Sequence, residues 1–194
     1  MFELSFQFRT TLNHGLLGTD SGSNFLVFLD KNEVHVLYNN MKKLSAGKKA
    51  SLSNGLWHTV FINISADSII LIVDNSSCGE LCQTSSPLQA PADVSKLYIG
   101  GSSSPINYLH NTLYNFTGCI QDVTIDMETV IPTSAVVELH NTVTGCPREE
   151  VCLSNPCANG QCIDEWIKFS CDCTRPWIGS RCNTSEFNYD FLAN

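Results

Sequence analysis

Apolar and polar residues alternate through Phe2-Glu3-Leu4-Ser5-Phe6-Gln7-Phe8-Arg9. This places Phe2, Leu4, Phe6 and Phe8 on one face of an extended strand. The runs Phe25-Leu26-Val27-Phe28-Leu29 and Val34-His35-Val36-Leu37-Tyr38 flank Asp30-Lys31-Asn32-Glu33, a pattern that predicts a hairpin with a four-residue turn. Residues 59–64 and 68–73 predict a second hairpin about Ser65-Ala66-Asp67. Lys96-Leu97-Tyr98-Ile99, ending at Gly100-Gly101, and Cys119-Ile120-Gln121-Asp122-Val123-Thr124-Ile125 add further strands. No segment carries the 3.6-residue period of an amphipathic helix, and turn signals recur at short intervals. The fold class expected is an all-β sandwich. Residues 75–95 and 101–117 are its polar, loop-rich stretches, and binding usually lives on such loops.

The cysteines divide the chain. Of ten among 194 residues, six fall within residues 147–194, a stretch too short to bury a core without covalent staples. A domain boundary is therefore expected near Cys146-Pro147. Four sequons accompany the cysteines, at Asn63-Ile64-Ser65, Asn75-Ser76-Ser77, Asn115-Phe116-Thr117 and Asn183-Thr184-Ser185. An even cysteine count beside four candidate N-glycosylation sites points to the oxidising secretory route. Zinc is the rival explanation, but the spacing gives no pair of Cys-x2-Cys knuckles and no neighbouring His. The net charge of −8 splits into −5 over residues 1–146 (7 basic, 12 acidic) and −3 over 147–194 (4 basic, 7 acidic). Neither half suits a nucleic-acid binder. Met1-Phe2-Glu3-Leu4-Ser5 lacks the basic and apolar regions of a signal peptide, and no run approaches the roughly 20 apolar residues of a membrane span. The chain is thus expected to be a piece of a longer protein, associated with a membrane only through parts not present here.

Several segments, in order, resemble a laminin G domain: Phe6-Gln7-Phe8-Arg9-Thr10 followed by Gly15-Leu16-Leu17, then Leu52-Ser53-Asn54-Gly55-Leu56-Trp57-His58-Thr59-Val60, then Leu97-Tyr98-Ile99-Gly100-Gly101, then Phe116-Thr117-Gly118-Cys119-Ile120-Gln121-Asp122-Val123 and Thr144-Gly145-Cys146. That resemblance covers residues 1–146. The pattern Cys152-x4-Cys157-x4-Cys162-x8-Cys171-x-Cys173-x8-Cys182 resembles an EGF-like module, here residues 148–183 with 184–194 as tail or linker. The two together, and the run from Cys162 to Trp177 in particular, resemble the Crumbs family. The eyes shut family is the nearest alternative, and neurexins and slits are more distant. The resemblance implies a laminin G-like (concanavalin-like) sandwich. Its N-terminus is truncated by one or two strands before Phe2, and Gly18 stands where a longer apolar run is usual, so that a sheet edge is left open. Six cysteines alone allow 15 connectivities, and strand geometry disfavours Cys171 with Cys173. The family pattern implies Cys152–Cys162, Cys157–Cys171 and Cys173–Cys182. It also implies O-glucose on Ser154 within Cys152-Leu153-Ser154-Asn155-Pro156-Cys157, against the plainer reading of a Ser-Asn-Pro turn. Gln161 before the third cysteine makes fucose unexpected.

Cys119 with Cys146 would close about 28 residues, worth roughly 3.5 kcal/mol by loop entropy. Cys78 with Cys82 would close only about five, worth roughly 2 kcal/mol, and a structural staple is favoured over a redox pair. Asp164 and Phe169 sit where calcium-binding EGF modules carry an acid and an aromatic, but only Glu149-Glu150-Val151 precedes the first cysteine. Half a motif does not supply the six or more oxygens calcium needs, and Asp20 and Asp67 read as solvated turn carboxylates. No metal or cofactor is assigned, with calcium the one left open. Lys42, Lys43, Lys48 and Lys49 flank Leu44-Ser45-Ala46-Gly47 as the only basic cluster, either a patch for sulfated glycans or a solvated hairpin loop. Trp57-His58 resembles a family pair that serves core packing and strand entry. His58 has no nucleophile beside it, and His14, His35, His110 and His140 lack metal spacing. A glycan-cleaving enzyme would need two facing carboxylates, which the strands do not offer. The resemblance implies an extracellular adhesion or recognition fragment of a Crumbs-like cell-polarity receptor, the ectodomain of an apical plasma-membrane protein. It would bind a protein or glycan without catalysis. The alternative is a module of a secreted matrix protein of the eyes shut or slit type.

Overall fold

The N-terminal alternation becomes strand β1 (Phe2–Arg9), whose Phe2, Leu4, Phe6 and Phe8 are buried while the residues between them are half-buried. The computed structural model describes residues 1–39, 42–47, 50–74, 83–87, 96–108, 111–131 and 141–186, and no described residue lies in an α-helix. The chain divides into two units, Met1–Cys146 and Pro147–Asn194.

The first unit continues with β2 (His14–Asp20), β3 (Phe25–Asp30), β4 (Glu33–Tyr38), β5 (Lys42–Ala46), β6 (His58–Ile64) and β7 (Ser68–Val73). It ends with β8 (Gln83–Pro87), β9 (Leu97–Ile99), β10 (Ile106–Tyr108), β11 (Asn111–Leu113), β12 (Cys119–Ile125) and β13 (Glu128–Thr129). One sheet runs β13-β12-β1-β6-β7-β8 and the other β5-β4-β3-β2-β9. Phe6, Phe8, Phe25, Leu29, Ile62 and Leu71, all fully buried, belong to the core cluster that both sheets contribute to. Each such side chain contributes about 1.5–3 kcal/mol on leaving water.

Strands β3 and β4 are apolar without alternation because both faces of their sheet are covered. Phe25, Val27 and Leu29 join the main core, while Leu26 and Phe28 join a second cluster with Leu16 and Leu37. The antiparallel β10–β11 pair covers that second cluster with Ile106, Tyr108 and Leu113. Strand alternation sets Leu17 in the main core and Leu16 on the other face, and a bulge falls between Leu16 and Gly18.

Four expectations are corrected. The first hairpin turns in two residues rather than four, since Asp30 pairs with Glu33. Lys31 and Asn32 take φ of 51° and 63°, the left-handed pair whose twist matches the strands. Asn32 is held there because its Oδ1 accepts from Ser53 N–H (3.1 Å) and Ser53 Oγ (2.6 Å). The segment between the lysines is strand rather than loop, because Leu44 and Ala46 reach the core. The stretches 75–95 and 101–117 contain strands as well: β8 pairs with β7, and β10 with β11. Finally, β1 has a neighbour on each side, since β12 returns to pair with it opposite β6. The sheet edges among the described strands are the short β13, β8, β5 and β9, and short edges blunt edge-to-edge pairing.

Cys119 at the start of β12 is bonded to Cys146, with Cα atoms 5.7 Å apart. Gly118 precedes it because a Cβ there would stand 2.4 Å from the Arg9 carbonyl oxygen. Cys78 and Cys82 lie outside the described residues.

The second unit holds β14 (Gly160–Asp164), β15 (Phe169–Cys173), β16 (Trp177–Ile178) and β17 (Thr184–Ser185) as two antiparallel pairs. Cys152–Cys162, Cys157–Cys171 and Cys173–Cys182 are bonded. Its buried apolar positions among the described residues are Cys157, Trp166 and Cys182, so covalent bonds replace most of a core.

Candidate functional site

His58 opens β6 and is 6% exposed. Its Nδ1 stands 2.6 Å from Asp74 Oδ2, and its Nε2 stands 2.9 Å from Asn54 Oδ1. Asn54 Oδ1 also accepts from Leu56 N–H at 2.8 Å, which marks it as the carbonyl side of the amide. Both ring nitrogens therefore face acceptors from the protein's own fold. Asp74 further accepts from Thr59 N–H at 2.8 Å. Strand entry is thus secured by a polar trio packed against Phe8, whose ring centroid lies 5.7 Å from that of His58; Trp57 is half-buried. Asp74, the polar residue that ends an apolar strand, is the partner that sequence reasoning missed.

In the second unit, the β14–β15 turn builds a compact charge site. Asp164 Oδ1 accepts from Trp166 N–H at 2.8 Å, and Ile167 N–H donates to Glu165 O at 2.9 Å. Trp166 between them has φ of 71°, a γ-turn conformation that costs a bulky residue about 1–3 kcal/mol. The Arg148 guanidinium repays part of that cost. It lies 4.6 Å from the Trp166 ring centroid and pairs with Asp164 Oδ2. The Arg148 and Asp164 side chains are 9% and 23% exposed. Beside them, the Ser170 hydroxyl and then Lys168, whose Nζ is 3.3 Å from Glu165 Oε2, hold the Glu165 carboxyl below the usual carboxylate range. Calcium does not fit here. The Asp164 carboxylate is already engaged by a cation and an amide, and Glu149 and Glu150 are exposed. Among the described residues, no three His, Cys, Asp or Glu side chains are grouped as metal ligands. Arg148, the one basic residue of the segment before Cys152, was the legible signal that went unread.

The other candidates are scattered. Asp20 is not a solvated turn carboxylate. It ends β2 at 6% exposure because its Oδ1 accepts from Phe25 N–H (2.7 Å) and its Oδ2 from Gly22 N–H (3.3 Å). Asp67 is exposed and accepts from Ser65 Oγ at 2.9 Å. Lys42 and Lys43 lie on edge strand β5, in register with Tyr38 and Leu37; Lys48 and Lys49 lie outside the described residues. His14 is exposed beside Asn13, and His35 is buried against Phe28 with ring centroids 5.1 Å apart. His110, His140 and Asn75 lie outside the described residues. Asn115, Ser154 and Asn183 are exposed, and Asn63 is half-buried on β6.

A laminin G domain model matches residues 8–128, and an EGF-like domain model matches residues 152–181. The chain is 33% identical over 193 residues to mouse protein crumbs homolog 2, covering 92% of this chain and 14% of that protein. It is 31% identical to mouse protein crumbs homolog 1, covering 74% of this chain and 11% of the relative. The chain therefore spans only a small part of the relatives it matches. The LG1–3 region of the laminin α2 chain superimposes on 66% of this chain with a TM-score of 0.54, at 20% identity and 23% of its own length. That likeness is one of fold. The chain belongs to the laminin G domain family and carries an EGF-like domain after its laminin G domain.

Proposed function

We propose that the chain is an extracellular contact fragment of a Crumbs-like cell-polarity receptor, acting at an apical membrane surface and binding a protein or glycan partner without catalysis. The observation that carries this is the similarity to crumbs homolog 2 over 92% of the chain, across both domains. The burial of His58 against Phe8, Asp74 and Asn54 supports a structural part for that side chain. Asn63, Asn75, Asn115 and Asn183 are proposed N-glycan carriers, Ser154 an O-glucose carrier, and Cys78–Cys82 a local staple.

The lysine run is the proposed glycan contact. Lys42 and Lys43 sit on an edge strand of a unit whose net charge is −5, so a sulfated chain approaching elsewhere is repelled. Retention on immobilised heparin at low salt is expected, with loss when Lys42, Lys43, Lys48 and Lys49 are all changed to Ala. Retention that survives the change removes the lysines from the proposal.

A further inference from the structure

Each strand at the centre of the six-stranded sheet presents two faces. Leu4, Phe6, Val60, Ile62, Ile64, Ile69, Leu71 and Val73 point inward and are fully buried. On the other face the register sets Ser5, Phe61 and Ile72 in one row and Glu3, Asn63 and Ile70 in the next. Phe61, Ile70 and Ile72 are half-buried there. A solvent face of a sheet normally alternates to polar residues, so an apolar stripe beside a sequon is unusual. Asn63 lies directly opposite Ile70 and two residues along the strand from Phe61. The separation from Phe61 is about 6.7 Å with both side chains on one face. The Asn63 amide leans toward Glu3, with Nδ2 3.4 Å from Glu3 Oε2. Of the four sequons, only this one has an aromatic two positions before the Asn; Val73, Leu113 and Arg181 stand there in the others.

We infer that the N-glycan carried by Asn63 folds back onto this stripe, with its first N-acetylglucosamine against the Phe61 ring and the apolar side chains of Ile70 and Ile72. The inference rests on Asn63 being glycosylated. The transferase joins Nδ2 to the anomeric carbon of a lipid-pyrophosphate-linked oligosaccharide. The bond from that carbon to the pyrophosphate breaks, and Nδ2 gives up one proton and keeps the other. The C–H face of a pyranose carries partial positive charge and suits the negative face of an aromatic ring. The sugar removes the stripe from water while its hydroxyls remain solvated. The glycan is then part of the fold of this face, and the sheet is closed to face-on partners there.

The test uses the whole chain secreted from glycosylating cells, compared with Asn63→Gln, Phe61→Leu and the double variant. Peptide mass spectrometry reports occupancy at Asn63, and an unmodified Asn63 overturns the glycosylation on which the inference rests. With the site occupied, Asn63→Gln is expected to lower the melting temperature of the first unit by about 2–4 °C. Trimming the glycan to its first sugar is expected to leave that temperature in place. In the Phe61→Leu background, removing the glycan is expected to change it by less than a third as much. Equal losses in both backgrounds overturn the inference and leave the glycosylation standing. Should Phe61→Leu fail to be secreted, the wild-type chain still decides. First-sugar protons shifted upfield by the Phe61 ring support the contact, and unshifted protons overturn it.

Discussion

At the scale of single residues, this chain repeatedly places a charge where backbone geometry would otherwise be unsupported. Asp74 has φ of 49° and holds both the Thr59 amide and the His58 ring. Changing His58 to Ala leaves a carboxylate 16% exposed without that partner, and a loss of about 2–3 kcal/mol is expected by denaturant unfolding. Asp74→Asn keeps an acceptor for Thr59 and is expected to lose less. Arg148 plays the matching part in the EGF-like domain. Arg148→Ala removes the cation from Asp164 and the cover from Trp166, at a cost of about 1–3 kcal/mol. The measurable sign is a Trp166 indole resonance that moves toward its solvent-exposed position, and added calcium is expected to change neither protein's spectrum. Glu165 supplies a test by pH. Ser170 and Lys168 lower its folded value, so its contribution is present above the ordinary glutamate range and fades as pH falls through the lowered value. A proton titration of Glu165 is expected to move up in Ser170→Ala.

At the scale of elements, strands whose own residues alternate were legible in the sequence, and strands made by their neighbours were not. β1 and β12 could be read directly, since Phe2, Leu4, Phe6 and Phe8 announce a face and Cys119–Ile125 is bounded by Gly118 and Asp126. β8 could not, because Gln-Thr-Ser-Ser-Pro has no apolar pattern and is strand only through pairing with β7. The hairpin of β3 and β4 was legible, but its tightness was not, because Lys31 at φ of 51° is an unusual choice for the first turn position. That turn makes a contrasting pair of predictions. Lys31→Gly is expected to be neutral or to stabilise slightly, since glycine adopts this φ freely. Asn32→Gly is expected to destabilise by about 1 kcal/mol because it forfeits the bonds to Ser53. Thermal unfolding of the two variants separates backbone strain from side-chain bonding. The candidate site was the least legible part. His58 and Asp74 are 16 residues apart, as are Arg148 and Asp164, and only the folded strands bring each pair together.

At the scale of the whole molecule, the two units are stabilised by different means. The laminin G domain buries a core of phenylalanine, leucine, isoleucine and valine from two sheets, whereas the EGF-like domain has three buried apolar positions among its described residues and three disulfides. Reduction is therefore expected to unfold residues 147–186 while the sandwich keeps its dispersed amide spectrum, as a two-dimensional NMR comparison before and after reductant would show. The crowding of cysteines after Cys146 is the mark of that difference in the sequence, because covalent staples are needed where a core is too small. What the molecule touches is a property of its faces, and it is tested most directly by adhesion. Beads coated with the chain are offered to epithelial cells with and without heparinase treatment. A contact fragment is expected to bind saturably and to be displaced by soluble chain, with heparinase separating a glycan partner from a protein one. Binding no greater than that of uncoated beads on either set of cells would contradict the contact role.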